Sequence, residues 1–313
     1  MSAAQTAVLL VPNAITPTMI EAGTTIPVVD TAAGEVAWVS GTAYTGTENR
    51  INYGGSLWAA VAASTGVTPG TNPDKWRRTG PSNRMAPFDD KINTQSRAAG
   101  TLTYVLKPGF FTGLALYGLV GETLDVTLYE SPGGPVVYQW QGDLFEQAMG
   151  LFEYLYMPLR LATKRMAGNL PLAPEAELHI TITASGGGEC AIGMIVCGFW
   201  ASLLGDSDFP GGVEWGASAT VKTYSYIKTE DDGTTAIIPR SSATNINCSV
   251  VIDAARANYA HDLLTQVAAK PVAIILSGLP RYEYLNTFGL ISGSVEAAGW
   301  GYARLSISGK GFI

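Results

Sequence analysis

The chain has 313 residues, more than the usual single domain, and only 14% of them are charged, against about 25% in an ordinary globular protein. A formal charge of −7 and a pI near 4.9 exclude any general attraction to phosphate backbones or anionic lipid, so nucleic acid is not an expected partner. A mean hydropathy of +0.17 excludes a disordered chain and implies that much neutral or apolar surface is hidden in an assembly.

Residues 1–34 alternate Val, Leu, Ile and Thr but are broken by Pro12, Pro17 and Pro27. That texture predicts an extended arm that docks on neighbouring subunits. No Lys or Arg precedes its apolar run, so no secretory leader is expected, and the chain is expected to stay cytosolic until assembly. Residues 35–82 are small residues, turns and aromatics, a compact module of short strands. Residues 83–97 read as a linker stiffened by Pro87, after Pro81, in a locally basic zone. There Lys75, Arg77, Arg78, Arg84, Lys91 and Arg97 lie among Asp74, Asp89 and Asp90 and suit a solvated face.

Residues 98–205 hold runs such as LTYVL, TGLALYGLV, TLDVTLYE and ELHITITA, separated by Gly and Pro, which predict an antiparallel β-sandwich. In ELHITITA, Leu178, Ile180 and Ile182 share one face and His179 shares the other with Thr181 and Thr183. The segment 143–168 fits either a short helix and a strand or a long loop. The greasy stretch 191–204 falls short of the ~20 residues of a spanning helix, so no membrane insertion is expected. Residues 206–313 read as an α+β unit. Strands flank a TEDDGT turn, Asp253 caps a helix from Ala254 to about Ala268, and three more strands follow.

Groups that carry chemistry are sparse. Cys190, Cys197 and Cys248 lack CxxC spacing and suit buried thiols; with only His179 and His261 beside them, no metal and no cofactor is expected. Neither histidine lies in a nucleophile-elbow or triad context, and Gly186, Gly187 and Gly188 precede a strand, as a turn does, where a phosphate cradle would need a helix. Asp89–Asp90 and Asp231–Asp232 are adjacent pairs in turns. The Asn247–Cys248–Ser249 triplet matches a glycosylation acceptor but has no secretory route. The chain therefore reads as non-enzymatic.

One constellation stands out. Trp38, Tyr44, Ile51, Tyr53, Trp58 and Trp76 fall within forty residues, punctuated by Gly54–Gly55 and Pro69–Gly70. The run AWVSGTAYTGTENRINYGGSLWAAVAASTGVTPGTNPDKWRR resembles the small chitin-binding type of carbohydrate-binding module, with Ala62, Ala63 and Ser64 where that family places a further aromatic. The resemblance implies glycan contact through Tyr53, Trp58, Tyr44 or Trp76. Its alternative is that Trp38, Tyr44, Trp58 and Trp76 build the small core, with Tyr53 and Trp58 the better candidates for exposure.

With the link GPSNRMAPFDDKINTQS, the sandwich ending GECAIGMIVCGFW and the α+β unit, the whole chain resembles virion proteins from the tail, neck or fibre region of tailed bacteriophages. There a carbohydrate-binding-like module precedes a jelly-roll similar to galactose-binding folds. The resemblance implies a mainly β protein located in the virion. It would act as an assembly or adaptor subunit whose partners are further copies of itself and other virion proteins. The alternative it implies is recognition of a host surface glycan, with N-acetylated sugars stacked on Tyr53 and Trp58.

Overall fold

The computed structural model describes residues 7–145, 151–156, 161–204, 211–229 and 234–312. The chain opens with β1 (Val8–Pro12). The small module follows, with β2 (Val36–Ala37), β3 (Ala43–Tyr44), β4 (Ile51–Tyr53), β5 (Ser56–Ala60), β6 (Ser64–Thr65) and β7 (Trp76–Pro81). Next come β8 (Ser96–Ala99), β9 (Thr101–Leu106), β10 (Gly113–Tyr117), β11 (Thr123–Tyr129), β12 (Val136–Asp143), helix α1 (Leu151–Tyr156), β13 (Lys164–Gly168), β14 (Glu177–Thr183), β15 (Glu189–Ile192) and β16 (Met194–Ser202). The last part holds β17 (Gly212–Val213), β18 (Ser218–Thr223), β19 (Tyr226–Thr229), β20 (Thr235–Ile238) and β21 (Ser242–Asp253). Helix α2 (Ala257–Val267), β22 (Val272–Ile275), β23 (Thr287–Ala297) and β24 (Tyr302–Gly311) complete it.

The protein is mainly β, as the strand patterns predict, and its sheets are curled and, apart from the β2–β4 pair, antiparallel in a jelly-roll-like arrangement. Period-two alternation builds the sandwich. Leu178, Ile180 and Ile182 of β14 are buried while His179, Thr181 and Thr183 are only partly covered. Sheet β12-β11-β14-β9 sends Leu124, Val126 and Leu128 inward with them. Facing residues are Leu114 and Leu116 of β10 and Ile195 and Cys197 of β16. No helix among the described residues is long and apolar enough to cross a membrane.

The second sheet crosses the boundary expected near residue 205. Its ten strands run β13-β10-β16-β1-β22-β23-β24-β21-β17, with β18 also paired to β21. The sandwich and the α+β unit therefore share one sheet. Along one face, the sandwich core gives way to a second core where Ala260, Leu263, Leu264 and Val267 of α2 pack over Ile246, Val250, Ile252 and Leu305. Asp253 accepts a hydrogen bond from the Ala255 N–H at 2.9 Å and caps the helical segment as expected, through a 3-10 turn over Ala254–Arg256. On the opposite face, Val8 and Leu10 pack with Tyr117, Val196, Trp200 and Phe288.

Residues 8–12 of the expected arm are paired within the chain. β1 binds β16 on one edge (Leu9 opposite Ala201) and β22 on the other (Leu9 opposite Ile274). Ala7, Val8, Leu9 and Leu10 have no exposed surface. The prolines that suggest an arm sit at the end of the strand and beyond it, so the ladder loses few donors. The expected linker is also built in. Pro87 lies in a 3-10 turn over Asn83–Phe88, and Arg84 donates to the carbonyls of Ile26 at 2.5 Å, Ile20 at 3.1 Å and Glu21 at 3.2 Å. Part of the basic zone thus secures the backbone of residues 20–26, and burial pushes the Arg84 pKa down. Of segment 143–168, for which the sequence fits two readings, the described part contains α1 and β13; Asp231–Asp232 and most of the TEDDGT turn lie outside the described residues.

Truncating Leu9 removes packing from the strand that joins both halves of the sheet. Leu9→Ala is expected to lower stability by about 2–5 kcal/mol in chemical denaturation followed by tryptophan fluorescence. A loss below ~1 kcal/mol would show that β1 is dispensable.

Candidate functional site

The module sheet runs β2-β4-β5-β7, with β2 and β4 parallel and the other pairs antiparallel. β4 and β5 are joined by the two-residue turn Gly54–Gly55, with φ of 60° and 75°, values that glycine adopts without strain. A Cβ on Gly55 would lie 2.7 Å from Met85 Cγ and 3.0 Å from Pro17 Cγ, so this turn sits directly against the body of the protein.

One face of the sheet carries the aromatic set, and exposure grades along it. Tyr44 (5% exposed) and Trp76 (2%) are core, their rings edge-on with centroids 4.9 Å apart. The Tyr44 hydroxyl accepts from the Val39 N–H at 2.9 Å and Trp76 Nε1 donates to the Val67 carbonyl at 2.8 Å. Neither ring presents a face to a sugar, which corrects their expected binding role. A module this small has little aliphatic filling, so its large rings are drawn inward.

Trp38 and Trp58 are half-buried against that core. Trp58 Nε1 donates to the Tyr53 carbonyl at 3.3 Å and its ring edge packs on Gly70. Tyr53 is 40% exposed and meets Trp38 edge-on at 5.2 Å. Of the four expected site residues, the structure brings Tyr53 and Trp58 together at the surface. Arg78, opposite Trp58, donates to Ser56 Oγ at 3.1 Å.

Beside this face, Glu48 Oε1 accepts from the Thr45 N–H at 2.8 Å, and its other oxygen accepts from the Gly46 N–H at 3.0 Å. The Thr45 amide foremost holds the Glu48 carboxyl down to about 2, from an ordinary 4.5. On the other face, Glu35 is buried (2% exposed) and accepts from Asn52 Nδ2 at 2.6 Å, the Asp30 N–H at 3.0 Å and the Asn83 N–H at 2.6 Å. That carboxylate joins the module to the N-terminal segment and to the 3-10 turn.

A second concave surface, of about 630 Å³, lies on the ten-stranded sheet. Asn247, Ser308 and Ser292 form one row across β21, β24 and β23, and Ser249, Ser306 and Ser294 form the next. Trp215, 92% exposed, stands at its edge. Sequence reasoning missed this surface. Its signal was the alternation in RLSISGK, where Leu305 and Ile307 point inward and leave Ser306 and Ser308 outside.

The three cysteines are free and buried, as expected. Burial pushes the thiols of Cys197 and Cys248 up to about 12 and about 11, which keeps them protonated and inert near neutrality. His179 Nε2 lies 2.8 Å from Glu177 Oε1. Gly186 and Gly187 form a turn with φ of 64° and 74° between β14 and β15, as expected. No protein-family model, curated protein or solved structure matches this chain.

Trp76→Ala is expected to cost about 3–5 kcal/mol and disorganise the module, whereas Tyr53→Ala costs about 1 kcal/mol, the worth of one aromatic pair. Equal losses in thermal unfolding would place both rings in the core. The turn held by Glu48 has a depressed folded pKa. Its contribution is complete above about 4.5 and is lost as pH falls through about 2. Carboxyl NMR titration of Glu48 with an ordinary midpoint would contradict the hydrogen-bond geometry.

Proposed function

We propose that the protein is a structural virion subunit of a tailed bacteriophage, an adaptor in the tail, neck or fibre region that packs against copies of itself and other virion proteins. The observation that carries this reading is the β19–β20 hairpin. Tyr226 (49% exposed) pairs with Ile238 (54%) on one face, and Ile227 (61%) with Ile237 (63%) on the other. A two-stranded ribbon is marginal in water by itself, and four large apolar side chains on its two faces call for a covering surface. The helix α1, with Leu151, Phe152, Leu155 and Tyr156 all exposed, adds a second apolar surface of the same kind. A chain with 14% charged residues has little to keep such surfaces apart.

A second reading, recognition of a host glycan, is favoured by a specific observation: Trp215 stands beside a floor of serine hydroxyls and the Asn247 amide. An exposed indole stacks on a sugar face, and hydroxyl rows match its polar edge. Tyr53 and Trp58 on the small module offer a smaller surface of related chemistry.

Sedimentation velocity on the purified chain tests the first reading. We expect concentration-dependent self-association or capture by other virion proteins, and the pair Ile227→Asp with Ile237→Asp is expected to abolish it without moving the thermal midpoint. A monomer at all concentrations with no virion partner would overturn the assembly role. For the second reading, glycan-array binding that survives Tyr53→Ala but not Trp215→Ala would assign recognition to the large sheet; no binding by the native chain would remove it.

A further inference from the structure

We propose that two copies of this chain clasp each other about a two-fold axis, each β19–β20 ribbon lying between the partner's ribbon and the partner's α1. The proposal rests on the assembly reading above and goes beyond it by naming the partner, the symmetry and the faces that meet.

The ribbon stands away from its own chain. From Val221 to Thr229 and from Thr234 to Ser242, every described residue except Ser225 is exposed. At ~3.3 Å of rise per residue, the strand from Tyr224 to Thr229 reaches about 20 Å beyond β18. Its root is fixed: Asn93 Nδ2 donates to Ser241 Oγ at 2.8 Å, and the Arg240 N–H donates to Ser225 Oγ at 3.0 Å. The ribbon thus leaves the body in a set direction, with its large apolar side chains exposed on both faces.

Helix α1 is rooted at the same end of the curled ten-stranded sheet. Its segment leaves and returns at the Phe145–Leu161 bridge. Three residues on, Lys164 Nζ donates to the Asn286 carbonyl at 3.0 Å, at the end of a 3-10 turn over Pro280–Leu285. That turn packs beside β18, from which the ribbon springs. Its Tyr284, 54% exposed, adds apolar surface between the two roots. A two-fold contact needs both halves on one side of the chain, and this placement supplies them.

Area decides how the halves meet. Large side chains exposed to this degree present roughly 100–150 Å² each, so one ribbon on one helix hides on the order of 1,000 Å², short of the ~1,200–2,000 Å² of a stable contact. A reciprocal pair doubles this to about 2,000 Å². A ribbon apolar on both faces also needs cover on both sides, which one neighbouring surface does not give and a two-fold pair does. The face with Ile227, Thr229, Thr235 and Ile237 carries no charge, whereas Lys228 shares the other with Tyr226, Ala236 and Ile238. Like charges set opposite each other repel, so the uncharged face meets its own copy, and Tyr226 and Ile238 turn to the partner's α1.

Sedimentation equilibrium and thiol crosslinking on the full chain test this. We expect a monomer–dimer equilibrium with nothing larger. Phe152→Asp with Leu155→Asp is expected to raise the dimer Kd at least about a hundredfold at an unchanged thermal midpoint. The native cysteines are buried, so one introduced surface cysteine directs a short bismaleimide. Ile237→Cys is expected to crosslink to its own copy, and Ile238→Cys only when Phe152→Cys chains are mixed in. Native affinity in the α1 variant, growth beyond a dimer or any other crosslinking pattern overturns the clasp. A chain that is monomeric alone yet captured by another virion protein overturns the clasp and leaves the assembly role standing; a monomer with no partner overturns both.

Discussion

The structure depends on five residues. β1 is the strip that turns two half-sheets into one: without it, β13-β10-β16 and the sheet from β22 to β18 share no hydrogen-bonded edge. Its side chains alternate into both cores, Leu9 beneath α2 and Val8 and Leu10 against Tyr117 and Trp200. Full burial of such side chains is worth roughly 1.5–3 kcal/mol each, so three approach the net stability of an ordinary domain. The fit is tight on the β16 side, where a Cβ on Gly198 would come within 1.9 Å of the Val11 carbonyl oxygen.

A second constraint is polar. Buried Glu35, Asp30 and Asn52 form a knot with half-buried Asn83 in which each carboxylate accepts from backbone amides as well as side-chain amides. Such a network is stabilising only when its members are satisfied, and it fixes orientation more sharply than apolar packing does. The Gly54–Gly55 turn lies close by on the Met85 and Pro17 side chains. The small module therefore meets the body through hydrogen bonds and one tight turn.

Much of the β architecture was legible in sequence because half-buried strands write their burial in alternation, as β14 does with Leu178, Ile180 and Ile182. The cap at Asp253 was legible for a similar local reason. What escaped was non-local. β1 looked like an arm because its neighbours in the sheet, residues 198–202 and 273–275, lie far away along the chain. Arg84 looked like one charge in a solvated patch because the carbonyls it binds, at residues 20–26, are remote in sequence. Among the aromatics, residue type announced a cluster, but only the fold separated Trp76 at its centre from Tyr53 at its rim.

The placement of β1 also sets a timetable for synthesis. The second edge partner of Val8–Pro12, Ala273–Ile275, leaves the ribosome more than 250 residues after it. At ~5–20 residues per second that delay is on the order of tens of seconds. Until β16 is made both edges of this greasy strand are open, and after that one edge stays open until β22 follows. At high local concentration, the strand of one nascent chain and the gap in another are complementary, which makes exchange between copies a competitor of correct closure.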